Sequence, residues 1–266
     1  MKKILVLMFV IIFVYVYIQY DYNKEIISNG YSSDIDNYVN SDNYLDVLYS
    51  WASSDSKVAA IMDNKDSYPD ILLMMLARNS DMLDYVSGYT KYEGEVFSDN
   101  IGKVDKGVYP LLLQYDKRWG YGIYGDDVIA INGCGPTAVS MVVAGLTGRN
   151  DITPYIVSLD AYNNGYYQDG TSWSFFTEGV KKYGIVGREI ALSYELMLDE
   201  LEQNHPIICS MGPGDFTMTG HIIVITGVKN GKFIINDSNS KDRSKKLWSY
   251  EEISDQIKNL WSFSTF

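Results

Sequence analysis

The chain opens on an unbroken apolar run, Ile4 to Ile18, set behind Lys2 and Lys3 and closed by Gln19, Tyr20 and Asp21. Two cations ahead of such a run have the form of an export signal whose positive end stays in the cytoplasm. Stretched to Tyr20, the run reaches the low end of the roughly 17–25 residues that cross a bilayer. A cleaved signal ends in small side chains, whereas Tyr17, Ile18, Gln19 and Tyr20 are bulky. An uncleaved signal anchor over residues 1–20 is therefore expected, with a removed signal peptide as the alternative. The first gives a single-pass cell-membrane protein held through residues 4–20 with its bulk extracellular; the second gives a secreted one.

Residues 21–42 are rich in Asn, Ser and Asp without clear periodicity and read as a polar tether. Over 43–105 the pattern is that of a helical arm. Leu45, Val47, Leu48 and Trp51 recur at helical spacing, followed by Val58, Ile61 and Met62, then by Ile71, Leu72, Met75 and Leu76 behind Pro69. Ser80-Asp81 has the form of an N-cap before Met82, Leu83 and Val86. Short helices of this kind bury too little for an independent enzyme, so the arm is expected to pack on the domain that follows.

Over 106–266 the pattern changes to short strands, glycine turns and helices. Pro136 to Leu146 is small and apolar, a buried helix ended by Thr147-Gly148, and further helices are predicted over Thr171–Tyr183 and Ser193–Gln203. Ile207–Met211, His221–Val228 and Lys232–Asn236 read as strands, the last two joined by Lys229-Asn230-Gly231. Asn-Gly between two such runs is a strong hairpin signal. A short helix over Tyr250–Ile257 and a closing strand complete an α+β domain with antiparallel pairing.

Composition adds bounds rather than identity. With 46% hydrophobic and 21% charged residues the chain is able to bury a core and does not have the composition of a disordered protein. A formal net charge of −12 opposes general affinity for nucleic acid or anionic lipid. The two cysteines, Cys134 and Cys209, stand in such different contexts that they do not read as a structural pair. No feature fixes an oligomeric state.

The chemistry centres on Asn132-Gly133-Cys134-Gly135-Pro136. A cysteine at the start of a helix meets unpaired N–H groups and a partial positive charge, which favour a thiolate, and the flanking glycines are expected to let a substrate backbone approach. Only two histidines are present. His205 lies before Pro206 in a turn and reads as a surface residue. His221 opens the strongest β run and is placed to face a cleft as the base that a nucleophilic thiol needs. Across the hairpin, Asn236 and Asp237 both lie at the level of His221, and periodicity does not choose between them as the group that orients the imidazole. Gln114, upstream of Cys134, offers an amide donor for an oxyanion hole. No zinc constellation is present, and Asp63–Asp66 and Asp237–Asp242 lack the glycine and glutamate spacing of calcium loops. No metal or other cofactor is expected.

Together the stretches LLLQYDKRWGYGIYG, INGCGPTAVSMVVAGLTG, PIICSMGPGDFTMTGHIIVITGV and FIINDSNS resemble the papain-like cysteine peptidases related to the bacteriocin-processing, double-glycine-leader peptidases, in the stand-alone form common in Gram-positive bacteria. The arm segment from Tyr68 to Leu73 is similar to one that often precedes that domain. The resemblance implies a papain-like fold, with a helical subdomain beside an antiparallel sheet. It also implies Cys134 as nucleophile, His221 as general base, Asp237 as the orienting acid, Gln114 as an oxyanion donor, and a peptide or protein substrate. Transporter-linked relatives process leaders inside the cell beside ATPase domains. This chain carries no Walker-type phosphate loop, so the leader substrate does not carry over. Two other readings stand beside this one: a cell-wall peptide hydrolase of the NlpC type, which commonly needs a second histidine, and an inert binding module on the same fold.

Overall fold

The computed structural model describes residues 39–266. The expected anchor and nearly all of the expected tether, residues 1–38, lie outside the described residues. No helix among the described residues is long and apolar enough to cross a membrane. The chain divides into two compact units after Thr90.

The first unit holds α1 (Tyr44–Ala52), α2 (Ser56–Asp63), α3 (Asp70–Arg78) and α4 (Leu83–Val86). α1 and α2 bury the stripes that their periodicity marks, Val47, Leu48 and Trp51 on α1 and Val58, Ile61 and Met62 on α2; on α3 the buried set is Leu72, Leu73, Leu76 and Ala77, while Ile71, expected on that stripe, is exposed. Asp55 starts α2 by accepting from the N–H groups of Lys57 and Val58. The turn before α4 is capped by Asn79, which accepts from Asp81 N, rather than by Ser80. Sequence placed the end of the arm at 105, yet residues beyond Thr90 belong to the second unit. Three backbone bonds tie them in: Gly94 N to Tyr121 O (2.8 Å), Phe97 N to Arg118 O (2.8 Å) and Ile101 N to Asn150 O (2.9 Å).

In the second unit a small hairpin, β1 (Ile123–Tyr124) and β2 (Asp127–Val128), leads through α5 (Ile129–Asn132) into α6 (Cys134–Thr147). Gly148 ends α6 in the left-handed conformation, φ 75°. Then comes α7 (Pro154–Asn163), with Thr153 as N-cap and Pro154 in the first turn, a helix absent from the sequence prediction. Two tight turns, Trp173–Phe176 and Gly179–Tyr183, replace the single helix predicted over 171–183. A Cβ on Gly179 would lie 2.1 Å from the Phe175 ring, a proximity that the kink between the turns creates.

The remaining strands are β3 (Ile185–Glu189), β4 (Ile207–Met211), β5 (His221–Lys229), β6 (Lys232–Asp237), β7 (Leu247–Trp248) and β8 (Ile257–Thr265). They form one antiparallel sheet in the order β3-β8-β4-β5-β6-β7. The β5–β6 turn has Asn230 and Gly231 both at positive φ, 54° and 73°, as an Asn-Gly hairpin requires. Interspersed are α8 (Tyr194–Glu202), capped by Ser193, α9 (Lys241–Lys245), capped by Ser240, and α10 (Tyr250–Ile253), where Ser249 and Glu252 form a capping box.

Both faces of the sheet are covered, so its central strands read as continuous apolar runs rather than alternating ones. On β5, Ile222 and Val224 join the core built around α6 and α7, while Ile223 and Ile225 join a second core with Met197 of α8 and Ile253 of α10. α6 is buried all round from Gly135 to Leu146. A helix at the centre of one core and strand ends at its border are the two supports of the site.

Candidate active site

Cys134 begins α6, where the first N–H groups of the helix lack intrahelical partners. The flanking glycines are required by the protein's own packing. A Cβ on Gly133 would fall 2.5 Å from the Ile129 carbonyl oxygen, and one on Gly135 would fall 2.4 Å from Thr171 Oγ1. Thr171 in turn is hydrogen-bonded at 2.8 Å to the buried Tyr124 hydroxyl. The thiol is free, half-buried and unpaired with Cys209, which sits wholly inside the sheet core, where burial pushes its thiol up.

His221 is the first residue of β5, paired with Met211 of β4. Its Nε2 meets Asp237 Oδ1 at 2.7 Å. Cys134 acts on the same ring, and its influence favours the imidazolium. The choice between Asn236 and Asp237 is made by a β-bulge. Unbroken register from the Asn230-Gly231 turn would set Asn236 opposite Ile225, on the face of His221. The register shifts between Ile225 and Gly227, so Asp237 lies opposite Ile223 and diagonal to His221 on that face. Asn236 is turned to the other side, where its amide donates to the carbonyls of Tyr109 and Pro110 at 3.2 Å each.

Asp237 is fully buried with its oxygens saturated. Oδ1 also accepts from Asn239 N at 2.8 Å, and Oδ2 accepts from Arg243 Nε at 2.6 Å. Burial alone raises a carboxyl, but Arg243 and His221 outweigh it and hold Asp237 well below the usual carboxylate range. Burial likewise disfavours the imidazolium of His221, yet the charge of Asp237, its hydrogen bond and Cys134 carry it up to about 9. Arg243 was not singled out in the sequence. It stands on a five-residue helix whose one sequence signal is the capping Ser240.

Gln114 is buried, and both ends of its amide are engaged. Oε1 accepts from Ser238 Oγ at 2.9 Å, while Nε2 donates to Ala130 O at 2.7 Å and meets Ile131 O at 3.4 Å. Its own N–H donates to Ser238 O at 2.9 Å. Gln114 thus clamps the segment after Asp237 to the segment before Cys134. To serve as an oxyanion donor it must release the longer contact to Ile131.

His205 lies before β4 at the end of the strand opposite Met211 and His221, separated by about 3.3 Å per strand residue. There it bonds the buried Glu200 at 3.0 Å, together with Arg188 and Ser262. That position argues against a second catalytic histidine. The segment Gly212–Phe216 ahead of His221 is braced from within. Phe216 is buried and stacked on Trp248, ring centroids 4.6 Å apart, and Asp215 is bonded to Gln256. Met218, 44% exposed, is the apolar side chain that the loop presents outward.

A family model, the Peptidase_C39 like family, matches residues 108–264. The chain belongs to that family. The match spans the C39-like domain from the strand-like segment before Gln114 to β8. Among solved structures, the peptidase domain of Streptococcus ComA, described as a bi-functional ABC transporter involved in a quorum sensing pathway, is 23% identical with a TM-score of 0.42. That comparison covers 60% of this chain and 100% of the other. A putative C39-like peptidase from Bacillus anthracis is 15% identical with a TM-score of 0.37, over 62% of this chain and 98% of the other. No curated protein matches. The α+β fold of helices beside an antiparallel sheet is that of the papain-like C39 peptidases, and membership supports a cysteine peptidase acting on peptides.

Proposed function

We propose that the chain is a thiol-dependent peptidase working through Cys134, His221 and Asp237 without a cofactor. Cys134 Sγ attacks the carbonyl carbon of a peptide bond as its proton passes to His221 Nδ1. The C–N bond then breaks, the imidazolium returns the proton to the leaving amine, and an acyl thioester remains on Cys134. Water, deprotonated by His221, attacks the thioester and releases the acid and the thiol. Asp237 fixes the ring through Nε2 and stabilises the imidazolium. The Cys134 amide at the start of α6, joined by a released N–H of Gln114, supplies the oxyanion donors. Export, by an anchor or a signal over residues 1–20, belongs to the same reading and puts the substrate outside the cytoplasm.

The observation that carries this reading is His221 held by a buried carboxylate at 2.7 Å while Cys134 acts on the same imidazole. Labelling with a peptidyl acyloxymethyl ketone tests it. The full chain should be modified at Cys134, and labelling should vanish in Cys134→Ala. Persistent labelling of that variant would end the assignment. Incubation with purified peptidoglycan separates the NlpC-type alternative, which requires released muropeptides.

A further inference from the structure

We propose that Arg243 is a positioning residue that sets the charge felt by the catalytic histidine, so that Asp237 orients His221 while transmitting only part of its negative charge. The proposal deepens the peptidase reading and rests on it for its role in turnover. Arg243 Nε donates to Asp237 Oδ2 at 2.6 Å, and the guanidinium side chain is 10% exposed beside a carboxylate of 0% exposure. The opposite oxygen, Oδ1, holds His221 Nε2. One carboxylate is therefore shared by two cationic groups, of which only the imidazole gives up its proton below the arginine range.

The brace is built directly from the chain that follows the acid. Ser240 accepts from Arg243 N and starts α9, while Ser244 Oγ accepts from Asp237 N at 2.9 Å and donates to Ser240 O at 2.8 Å. Trp248 Nε1 donates to Arg243 O at 3.0 Å and pins the far end. A neutral donor would satisfy Oδ2 equally well as a hydrogen bond, so what the guanidinium adds is charge. The other charged groups nearby are spoken for. Asp242 and Lys245 of α9 pair with each other at 2.8 Å on the exposed side, and Asp215 of the loop before His221 is bonded to Gln256. The groups that act directly on the ring are Asp237 and Cys134, so Arg243 acts through the shared carboxylate.

The chemical consequence lies in the second half of acylation, when His221 gives its proton to the leaving amine. An imidazolium stabilised by an unshared buried carboxylate is a poorer acid, and proton transfer is most efficient from a group matched to the working pH. Even with Arg243 present the buried Asp237 carries His221 up to about 9.

The test is the titration of His221 followed by NMR in the full chain labelled with 13C at the imidazoles. Assignment needs one His205→Gln control, because only two histidines are present. Arg243→Met should move the midpoint upward by about one unit, the size expected when a nearby charge is removed from partly buried surroundings. Arg243→Lys should hold it within about a few tenths of the parent value, since the charge is kept. A midpoint that stays put in Arg243→Met while Cys134 reactivity falls would show a purely structural brace and overturn the proposal; so would failure of Arg243→Lys to restore it. The peptidase reading fails separately, by absence of selective probe labelling at Cys134, whatever the titration shows.

Discussion

Replacing Asp237 by Asn is the perturbation whose outcome the charge arrangement fixes most tightly. The substitution keeps size and shape but leaves the Arg243 guanidinium buried against a neutral amide. Removing one partner of a buried ion pair costs about 3–5 kcal/mol, because the surviving charge is neither solvated nor paired. Ser244 Oγ continues to accept from the main-chain N–H of residue 237, and Asn239 N can still donate to the amide oxygen, so the loss is electrostatic rather than a collapse of α9. For a domain of this size each kcal/mol shifts the melting temperature by about 2–4 °C, so a fall of about 10 °C is expected. Adding Arg243→Met removes the orphaned cation, and the double variant should recover to within about 1 kcal/mol of the parent. Urea unfolding at pH 7, followed by tryptophan fluorescence, measures all three proteins. Trp248 reports directly because it is bonded to Arg243 O. An Asp237→Asn protein within about 1 kcal/mol of the parent, or a double variant no more stable than the single, would refute the account of the pair.

Stability should also depend on pH in a way that separates the two partners. His221 has its ionisation raised from 6.5 to about 9, so its contribution, about 3 kcal/mol, is fully present below about 6.5 and fades as pH rises through about 9. Asp237 is held below its ordinary 3.8, so its contribution is present above that value and lost only as pH falls through the depressed folded one. His221→Gln should flatten the alkaline arm of unfolding free energy against pH between about 6.5 and 9, leaving only the fall that sets in above about 9 as Cys209 ionises in the unfolded chain. Gly135→Ala should cost about 1–3 kcal/mol and slow Cys134 alkylation, since the new Cβ meets Thr171 Oγ1 at 2.4 Å; an unchanged melting curve would contradict the packing. Gln114→Ala should destabilise by about 1–3 kcal/mol, leaving Ser238 and the Ala130 carbonyl without their partner, as denaturant titration will show or disprove.

Where sequence spoke clearly, local pattern and tertiary demand agreed. β4 was legible to the residue, and β5 and β6 to within one, because β-branched runs flank an Asn-Gly turn whose conformation leaves one register at the loop. α7 was illegible for the opposite reason. Its buried set, Pro154, Val157, Ser158 and Ala161, has helical spacing, but Ile156 and Tyr162 on the outer face are apolar too and erase the contrast. β3 was hidden by Gly187, which lowers strand propensity yet is needed there: a Cβ would fall 1.9 Å from Phe176 O.

The site shows the same division. Cys134 and His221 stood out by scarcity and position, but selecting Asp237 over Asn236 required a bulge that shifts the face by one residue. Nothing in a five-residue run of mostly charged and polar side chains signals that Arg243 is the one turned inward. The glycines beside Cys134 have a packing cause that the sequence did not show: the neighbours that exclude a side chain are Ile129 and Thr171.

The central claim is that Cys134 is a nucleophile activated by His221. The most direct measurement is the rate of alkylation by iodoacetamide at pH 6, resolved by peptide mass spectrometry, with the buried Cys209 as internal control. Cys134 should react at least about 100-fold faster in the parent than in His221→Ala, the size expected for loss of a general base partner, while Cys209 stays unmodified in both. Equal Cys134 rates in the two proteins would contradict the account.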